Sequence, residues 1–221
     1  MSDEEENEYI PCKVVLLGET GVGKTSILTR YVCGTFSQLV MTSTGSSFVT
    51  KNLDVDEKNK VKFQIWDTAG QEKYRSLAKI FYQSASVAIL VYDITTRNSF
   101  DGIKDYWSKE ILANSPEDII IALVANKSDD YYEQQVSTQE GKDLAKEINA
   151  IFQCTSAKLG SGIDELFKLI AEMFIDPTKN ISESFMNKEE IIEQKRKIKI
   201  EEIRAKSNEN IKKEKKTCCS K

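Results

Sequence analysis

The 221-residue chain predicts an α/β domain: a six-stranded, mostly parallel sheet with one antiparallel edge strand and helices on both faces. Three observations lead there. Strand-like and helix-like segments alternate along most of the chain, the pattern of a parallel sheet whose crossovers are helices. Ser86 to Tyr92 is a near-continuous apolar run, as a strand covered on both faces requires. The runs Ser47 to Val55 and Val61 to Trp66 flank Asp56-Glu57-Lys58-Asn59, which reads as a hairpin turn and supplies the antiparallel edge.

The elements follow in order. Val14-Val15-Leu16-Leu17 is the first strand, and Ser26 to Val32 opens the first helix behind a glycine-rich loop. The hairpin and the central strand come next. Asn98 with Asp101 has capping-box spacing and predicts a helix whose apolar face is Phe100, Ile103, Trp107 and Ile111. Ile119 to Val124 is the fifth strand. Ser137 with Glu140 predicts the next helix start, and Ile151-Phe152-Gln153-Cys154 the sixth strand. Ser161 with Asp164 predicts the last helix, with Ile163, Leu166, Phe167, Ile170 and Phe174 on one stripe. Asp176-Pro177 ends the folded part. The chain therefore divides into an acidic extension (1–9), one domain (10–175) and a charged tail (176–221). Glu193/Lys197 and Glu202/Lys206 have favourable helical spacing, but Ile191, Ile198, Ile203 and Ile211 hold no heptad, so the tail reads as a solvated linker.

Four segments carry chemistry. Gly18-Glu19-Thr20-Gly21-Val22-Gly23-Lys24-Thr25, with Ser26 behind it, fits the pattern G-x-x-x-x-G-K-[ST] between a strand and a helix. Its glycines let successive N–H groups face phosphate oxygens, and the helix N-terminus adds positive partial charge. Lys24 would reach the β- and γ-phosphates, and the Thr25 hydroxyl would ligate Mg²⁺. Asp67, at a strand end, can hold a small, reluctantly dehydrated ion through water. In the following residues, Gly70 can bring its N–H against a γ-phosphate and Gln71 can orient an attacking water. Asn126-Lys127-Ser128-Asp129 follows another strand. Ionised Asp129 only accepts hydrogen bonds and so suits the two adjacent N–H donors of guanine, while the Lys127 stem can cover the base. Thr155-Ser156-Ala157-Lys158 can offer backbone N–H to the guanine oxygen. In this order the segments point to GTP or GDP bound with Mg²⁺.

Composition bounds the remainder. The formal net charge is −4, unevenly spread: five acids and no base in residues 1–9, and a net +4 in 176–221. No basic face with interleaved aromatics is visible, which argues against a nucleic-acid partner. The absence of histidine removes the commonest general base and metal ligand. Five cysteines at no regular spacing, with no signal-like apolar stretch after Met1, predict a reducing compartment and no disulfide framework. Cys12, Cys33 and Cys154 lie among apolar neighbours and are expected in the core. No run approaches the ~18 apolar residues of a membrane span, and Ser2 excludes N-myristoylation.

Over residues 10–175 the chain resembles the Ras superfamily of small GTPases, which implies the P-loop NTPase small-GTPase fold. Within it, the ending Thr217-Cys218-Cys219-Ser220-Lys221, behind Lys212-Lys213-Glu214-Lys215-Lys216, resembles the Rab family, in which both cysteines are geranylgeranylated. Trp66 before Asp67-Thr68-Ala69-Gly70-Gln71 is similar to Rab, Rho and Ran proteins. Only 26 residues separate Asp129 from Ser156, too few for the extra helix of Rho proteins, and Ran is not prenylated. The Rab aromatic trio that faces effectors maps to Phe48, Trp66 and Phe81, residues that also suit an ordinary core. Where Rabs usually read Thr-Ile-Gly-x-x-Phe, this chain reads Ser43-Thr44-Gly45-Ser46-Ser47-Phe48. Counting places Ser43 at the magnesium-sensing threonine, with Thr44 as the alternative ligand. Small residues before Phe48 resemble the early-endosomal Rab group.

The resemblance implies a switch of vesicle trafficking that hydrolyses GTP slowly, with Gln71 and Lys24 catalytic and no arginine finger in cis. It implies an exchange factor, a GTPase-activating protein, effectors, a prenyl escort and an extraction chaperone. It also implies a monomer lipid-anchored at the cytoplasmic face of intracellular membranes, endosomal ones by the early-endosomal likeness, with a cytosolic pool. The alternative is a GTP-binding membrane scaffold with little hydrolysis; the Ser43-Thr44 departure and Thr20 are its support. Asp129 opposes a P-loop kinase or ATPase.

Overall fold

The computed structural model describes residues 8–37, 46–68 and 75–177. The chain divides into two compact units, Met1–Ile181 and Ser182–Lys221, and every described residue belongs to the first. Its elements run β1 (Ile10–Leu17), α1 (Lys24–Cys33), β2 (Ser47–Asp54), β3 (Lys60–Asp67), α2 (Arg75–Tyr82) and β4 (Val87–Asp93). Then come α3 (Arg97–Gly102), a π-helical turn (Ile103–Trp107), α4 (Ser108–Asn114), β5 (Ile120–Asn126), a 3₁₀ turn (Tyr131–Glu133), α5 (Thr138–Glu147), β6 (Ile151–Cys154) and α6 (Ile163–Ile175).

The six strands form one sheet in the order β2-β3-β1-β4-β5-β6. Only the β2–β3 pair is antiparallel, with Phe48 opposite Trp66 and Ser47 opposite Asp67. The expected hairpin is present: the Val55 N–H donates to Asn59 O at 2.9 Å, and the Asp56 carboxylate accepts from the Lys58 and Asn59 N–H groups at 2.9 and 2.8 Å. β4 is buried along its whole length, in keeping with its unbroken apolar run. Phe100, Ile103, Trp107 and Ile111 are all buried, as are Ile163, Leu166, Phe167 and Ile170. Each such side chain contributes about 1.5–3 kcal/mol through removal from water. Tyr31, Phe63 and Phe167 stack and cross edge-on where α1 and α6 meet the sheet.

Of the three capping boxes, one forms as read. Ser137 Oγ accepts from the Glu140 N–H at 3.2 Å, and Glu140 Oε2 accepts from the Ser137 N–H at 2.9 Å. The Asn98/Asp101 box does not form. The helix starts two residues earlier, with Thr96 as its cap and Arg97 as its first residue, and Asp101 instead pairs with Arg97 at 3.2 Å. The Ser161/Asp164 box fails for a steric reason. Ser161 bridges back to Ser156, and the cap is Gly162 at φ 75°, where a Cβ would stand 2.1 Å from Cys154 O. Two expectations of full burial also need correction. Cys12 is buried, and burial pushes its thiol up to about 12. Cys33, the last residue of α1, is exposed, and Cys154 is half-buried.

Candidate nucleotide site

The loops that follow β1, β3, β5 and β6 lie at the carboxyl ends of parallel strands, where sheets of this kind bind ligands. Gly18 leaves β1 at φ 141°, and a Cβ there would stand 2.2 Å from Val91 O. Gly23 takes φ 99° directly before α1, and a Cβ there would meet Asn126 Nδ2 at 2.3 Å. Only glycine fits either position, so the loop can lie tight against β4 and β5. Lys24 opens α1 and is buried. Its Nζ donates to Gly18 O and Glu19 O, both at 2.9 Å, and so spans the loop from its base. Burial lowers its pKa to about 8, against the opposing pull of the Asp67 and Glu19 carboxylates.

Thr25 Oγ1 donates to Asp67 Oδ2 at 2.6 Å. Register places Asp67 beside Leu16 of β1, which brings the hydroxyl and the carboxylate together from distant parts of the chain. Asp67 Oδ1 is buried with no hydrogen-bond partner. Burial raises the Asp67 pKa, while the Thr25 hydrogen bond and Lys24 act to lower it. A buried carboxylate oxygen left without a donor, beside a threonine hydroxyl, is a donor set that fits Mg²⁺ held partly through water. The next residue is fixed too, since Thr68 Oγ1 donates to Leu16 O at 2.7 Å.

The base side is built from the β5 and β6 loops. Asp129 accepts from Ser156 Oγ at 2.5 Å and pairs with Lys158 at 3.3 Å. Burial works to raise its pKa, but the Ser156 hydroxyl, a backbone N–H and Lys158 outweigh it, and the carboxyl stays below its ordinary range. Asp129 is thus held as an anion that can only accept. Asn126 binds protein on both sides: its Nδ2 donates to Val22 O at 2.8 Å, and its Oδ1 accepts from Thr155 Oγ1 at 3.1 Å. It joins the phosphate loop to both base loops. Lys127 adopts φ 63°, and its ammonium pairs with Asp93 Oδ2 at 2.6 Å. The Ser128 N–H donates to Thr155 O at 3.1 Å, and Ala157 is buried. A pocket of about 470 Å³ lies along this edge, lined in part by Thr20, Gly21, Asp93 and Lys127.

Two contributors were not read from the sequence. Asp93 ends the buried strand β4 and accepts from Thr95 N and Oγ1 at 2.9 and 2.8 Å while it holds Lys127. Its only sequence signal is a carboxylate closing an apolar strand. The other contributor is Trp107, whose Nε1 donates to Glu19 Oε1 at 3.3 Å from the π-helical turn and so buttresses the phosphate loop. No pattern in the sequence marks that pairing.

Phe48, Trp66 and Phe81 form a continuous row, with ring centroids 4.8 and 5.0 Å apart. Phe48 is 49% exposed and the other two are half-buried, so the row is core at one edge and surface at the other. Ile80 adds an exposed apolar side chain from α2. Ser26 is half-buried on α1. Ser43, Thr44, Gly70, Gln71, Cys218 and Cys219 lie outside the described residues.

The chain matches the model of the Ras family over residues 13–176. It is 45% identical over 163 residues to the Ras-related protein RabJ of Dictyostelium discoideum, covering 74% of this chain and 63% of RabJ. The chain thus spans under two thirds of that relative's length. It is 44% identical over 161 residues to the GTP-binding protein ypt5 of Schizosaccharomyces pombe, covering 72% of this chain and 76% of ypt5.

Proposed function

This chain belongs to the Ras family, within it to the Rab branch, and on that premise we propose that it is a GTP/GDP switch of vesicle trafficking that hydrolyses GTP slowly. The observation that carries the reading is the Asn126 amide, which links Val22 of the phosphate loop to Thr155 beside Asp129. Phosphate recognition and base recognition are thereby parts of one rigid unit. A nucleotide with guanine at one end and a phosphate chain at the other satisfies both.

Each residue has a distinct task. The loop from Gly18 to Gly23 presents N–H groups to the phosphates, and Lys24 supplies charge there. Thr25 and Asp67 would hold Mg²⁺, which neutralises charge developing on the β- and γ-phosphate oxygens. Gln71 orients the attacking water, and Gly70 and Ser43 sense the γ-phosphate. Loss of that phosphate releases the segments that carry Ser43 and Gly70. Asp129 accepts from the guanine edge, with Ser156 and Lys158 holding it in place. Among the described side chains Arg30 and Arg97 are paired away from the phosphate loop, so neither acts as an arginine finger in cis and unassisted turnover is slow, on the order of 10⁻⁴–10⁻³ s⁻¹ as in Ras.

The reading extends to the surface and the tail. The aromatic row Phe48-Trp66-Phe81 receives effectors in the GTP state. No helix among the described residues is long and apolar enough to cross a membrane. Membrane attachment is instead assigned to geranylgeranyl chains on Cys218 and Cys219, at the cytoplasmic face of intracellular membranes, endosomal ones included. An exchange factor, a GTPase-activating protein, a prenyl escort and an extraction chaperone complete the cycle. Single-turnover hydrolysis of bound GTP tests the enzymatic half. A slow release of phosphate that Gln71→Leu suppresses, with nucleotide affinity kept, supports it. Equal rates for Gln71→Leu and the wild type remove Gln71 from the chemistry.

A further inference from the structure

Arg30 lies six residues beyond Lys24 on α1, and neither the phosphate motif nor the base motifs call for it. Its guanidinium makes three hydrogen bonds. Nε donates to Ala157 O at 2.8 Å, Nη2 to Lys158 O at 2.7 Å, and Nη1 to Gly34 O at 2.8 Å. The first two acceptors lie 127 and 128 residues away in sequence, in the loop whose Ser156 and Lys158 side chains hold Asp129. The third is the left-handed residue that caps α1, and the guanidinium also stands 5.9 Å from the centre of the Phe36 ring. Gly160 closes the same loop over the arginine stem, where a Cβ would lie 3.5 Å from Cδ.

We propose that Arg30 is a positioning residue for base recognition: a strut that fixes the Ser156–Lys158 loop against α1 and ties it to the segment leaving that helix. The argument is one of donor geometry. Two consecutive carbonyls and a third from another segment need three directed N–H groups in one plane, which a guanidinium has and an ammonium lacks. Without them the loop is anchored through Thr155, whose N–H donates to Ala125 O, whose Oγ1 donates to Asn126 and whose carbonyl accepts from Ser128 N–H, and beyond Thr155 mainly by its own turn and its side-chain bonds to Asp129. Asp129 then loses the fixed positions of its two side-chain partners, and the base leaves more easily.

The inference rests on reading Asp129 and Thr155–Lys158 as the guanine site, and the test separates the two. The full chain is loaded with fluorescent GDP and its release is followed in excess GTP, for wild type, Arg30→Ala and Arg30→Lys. Release from Arg30→Ala is expected to be about tenfold faster, the change produced by losing one charged hydrogen bond. Arg30→Lys should fall between, because a single ammonium nitrogen lacks the planar spread of donors that reaches Ala157 O, Lys158 O and Gly34 O together. Single-turnover hydrolysis of prebound GTP should move far less than release does, because the strut touches the base loop and no phosphate-binding residue. Release within about twofold of wild type in both variants, or release and hydrolysis altered by the same factor, overturns the strut. If Arg30→Ala fails to fold, Arg30→Lys decides by the same reading. A wild type that retains no GDP overturns the guanine-site reading itself, and the strut with it.

Discussion

Asp67 holds its two oxygens in different circumstances: Oδ2 accepts from Thr25 at 2.6 Å, and Oδ1 is buried without a partner. An unsatisfied buried carboxylate oxygen is costly, and a hydrated cation removes the cost. Mg²⁺ should therefore slow GDP release, and chelation should speed it. In Asp67→Asn, release in the presence of Mg²⁺ should already be on the order of tenfold faster than wild type, and chelation should add little. A variant that responds to chelation as the wild type does would remove Asp67 from the metal site. Position 43 poses a sharper question, because it lies outside the described residues. Ser43→Ala should leave GDP affinity nearly intact and weaken binding of a non-hydrolysable GTP analogue, and Ser43→Thr should restore or strengthen it. Damage from Thr44→Ala with a silent Ser43→Ala would move the ligand by one residue.

Helix α5 shows how local sequence becomes a measurable pH dependence. Glu140 closes the capping box with Ser137 and also pairs with Arg97 at 2.5 Å, joining α5 to the start of α3. The Arg97 guanidinium first, then the Ser137 N–H and hydroxyl, hold its pKa down to about 2. A carboxylate with a depressed folded-state pKa adds stability above its ordinary pKa and loses it as pH falls towards the folded value. Thermal stability should therefore drop between about pH 4.5 and pH 2, and Glu140→Gln should lower stability at pH 7 more than at pH 2. An equal loss at both would contradict the pairing. Ser137→Ala should cost about 1 kcal/mol at neutral pH, as caps do. The Ser137 box was legible because both of its partners are local. The Asn98 box was misread because Arg97 claims Asp101, and the Ser161 box because a close approach to Cys154 O demands glycine at 162. The strands were legible throughout, since runs such as Val87–Asp93 must be apolar on both faces. In the candidate site, the phosphate, metal and base assignments come from motif spacing. Those of Asp93, Trp107 and Arg30 do not, because each acts on a loop far away in sequence and only the packed fold supplies its partner.

At the scale of the molecule, one sheet order gathers loops from four strands at one end, and Asn126 and Lys24 fasten them to each other and to α1. The tail is the other half of the proposed switch. One lipid chain holds a protein only marginally at a membrane, and two signals hold it stably. Cys218 and Cys219 offer two, and the lysines at 212, 213, 215 and 216 add attraction to an anionic leaflet, about 1 kcal/mol per base near the surface. Cys218→Ser with Cys219→Ser should move the protein to the soluble fraction, single changes should weaken or misdirect binding, and Lys→Gln changes should have a smaller, salt-sensitive effect. A doubly substituted protein that sediments with membranes as the wild type does would end the lipid-anchor reading. The central claim is that phosphate and base recognition act together to select guanine, and competition for bound fluorescent GDP tests it most directly. GTP should displace the probe from wild type and ATP should not. In Asp129→Asn, the fluorescent GDP and GTP should both bind far more weakly and XTP should gain relative to GTP, because the carboxylate that accepts from the guanine amino group is gone. Displacement by ATP as readily as by GTP, or unchanged GTP affinity in Asp129→Asn, would contradict it.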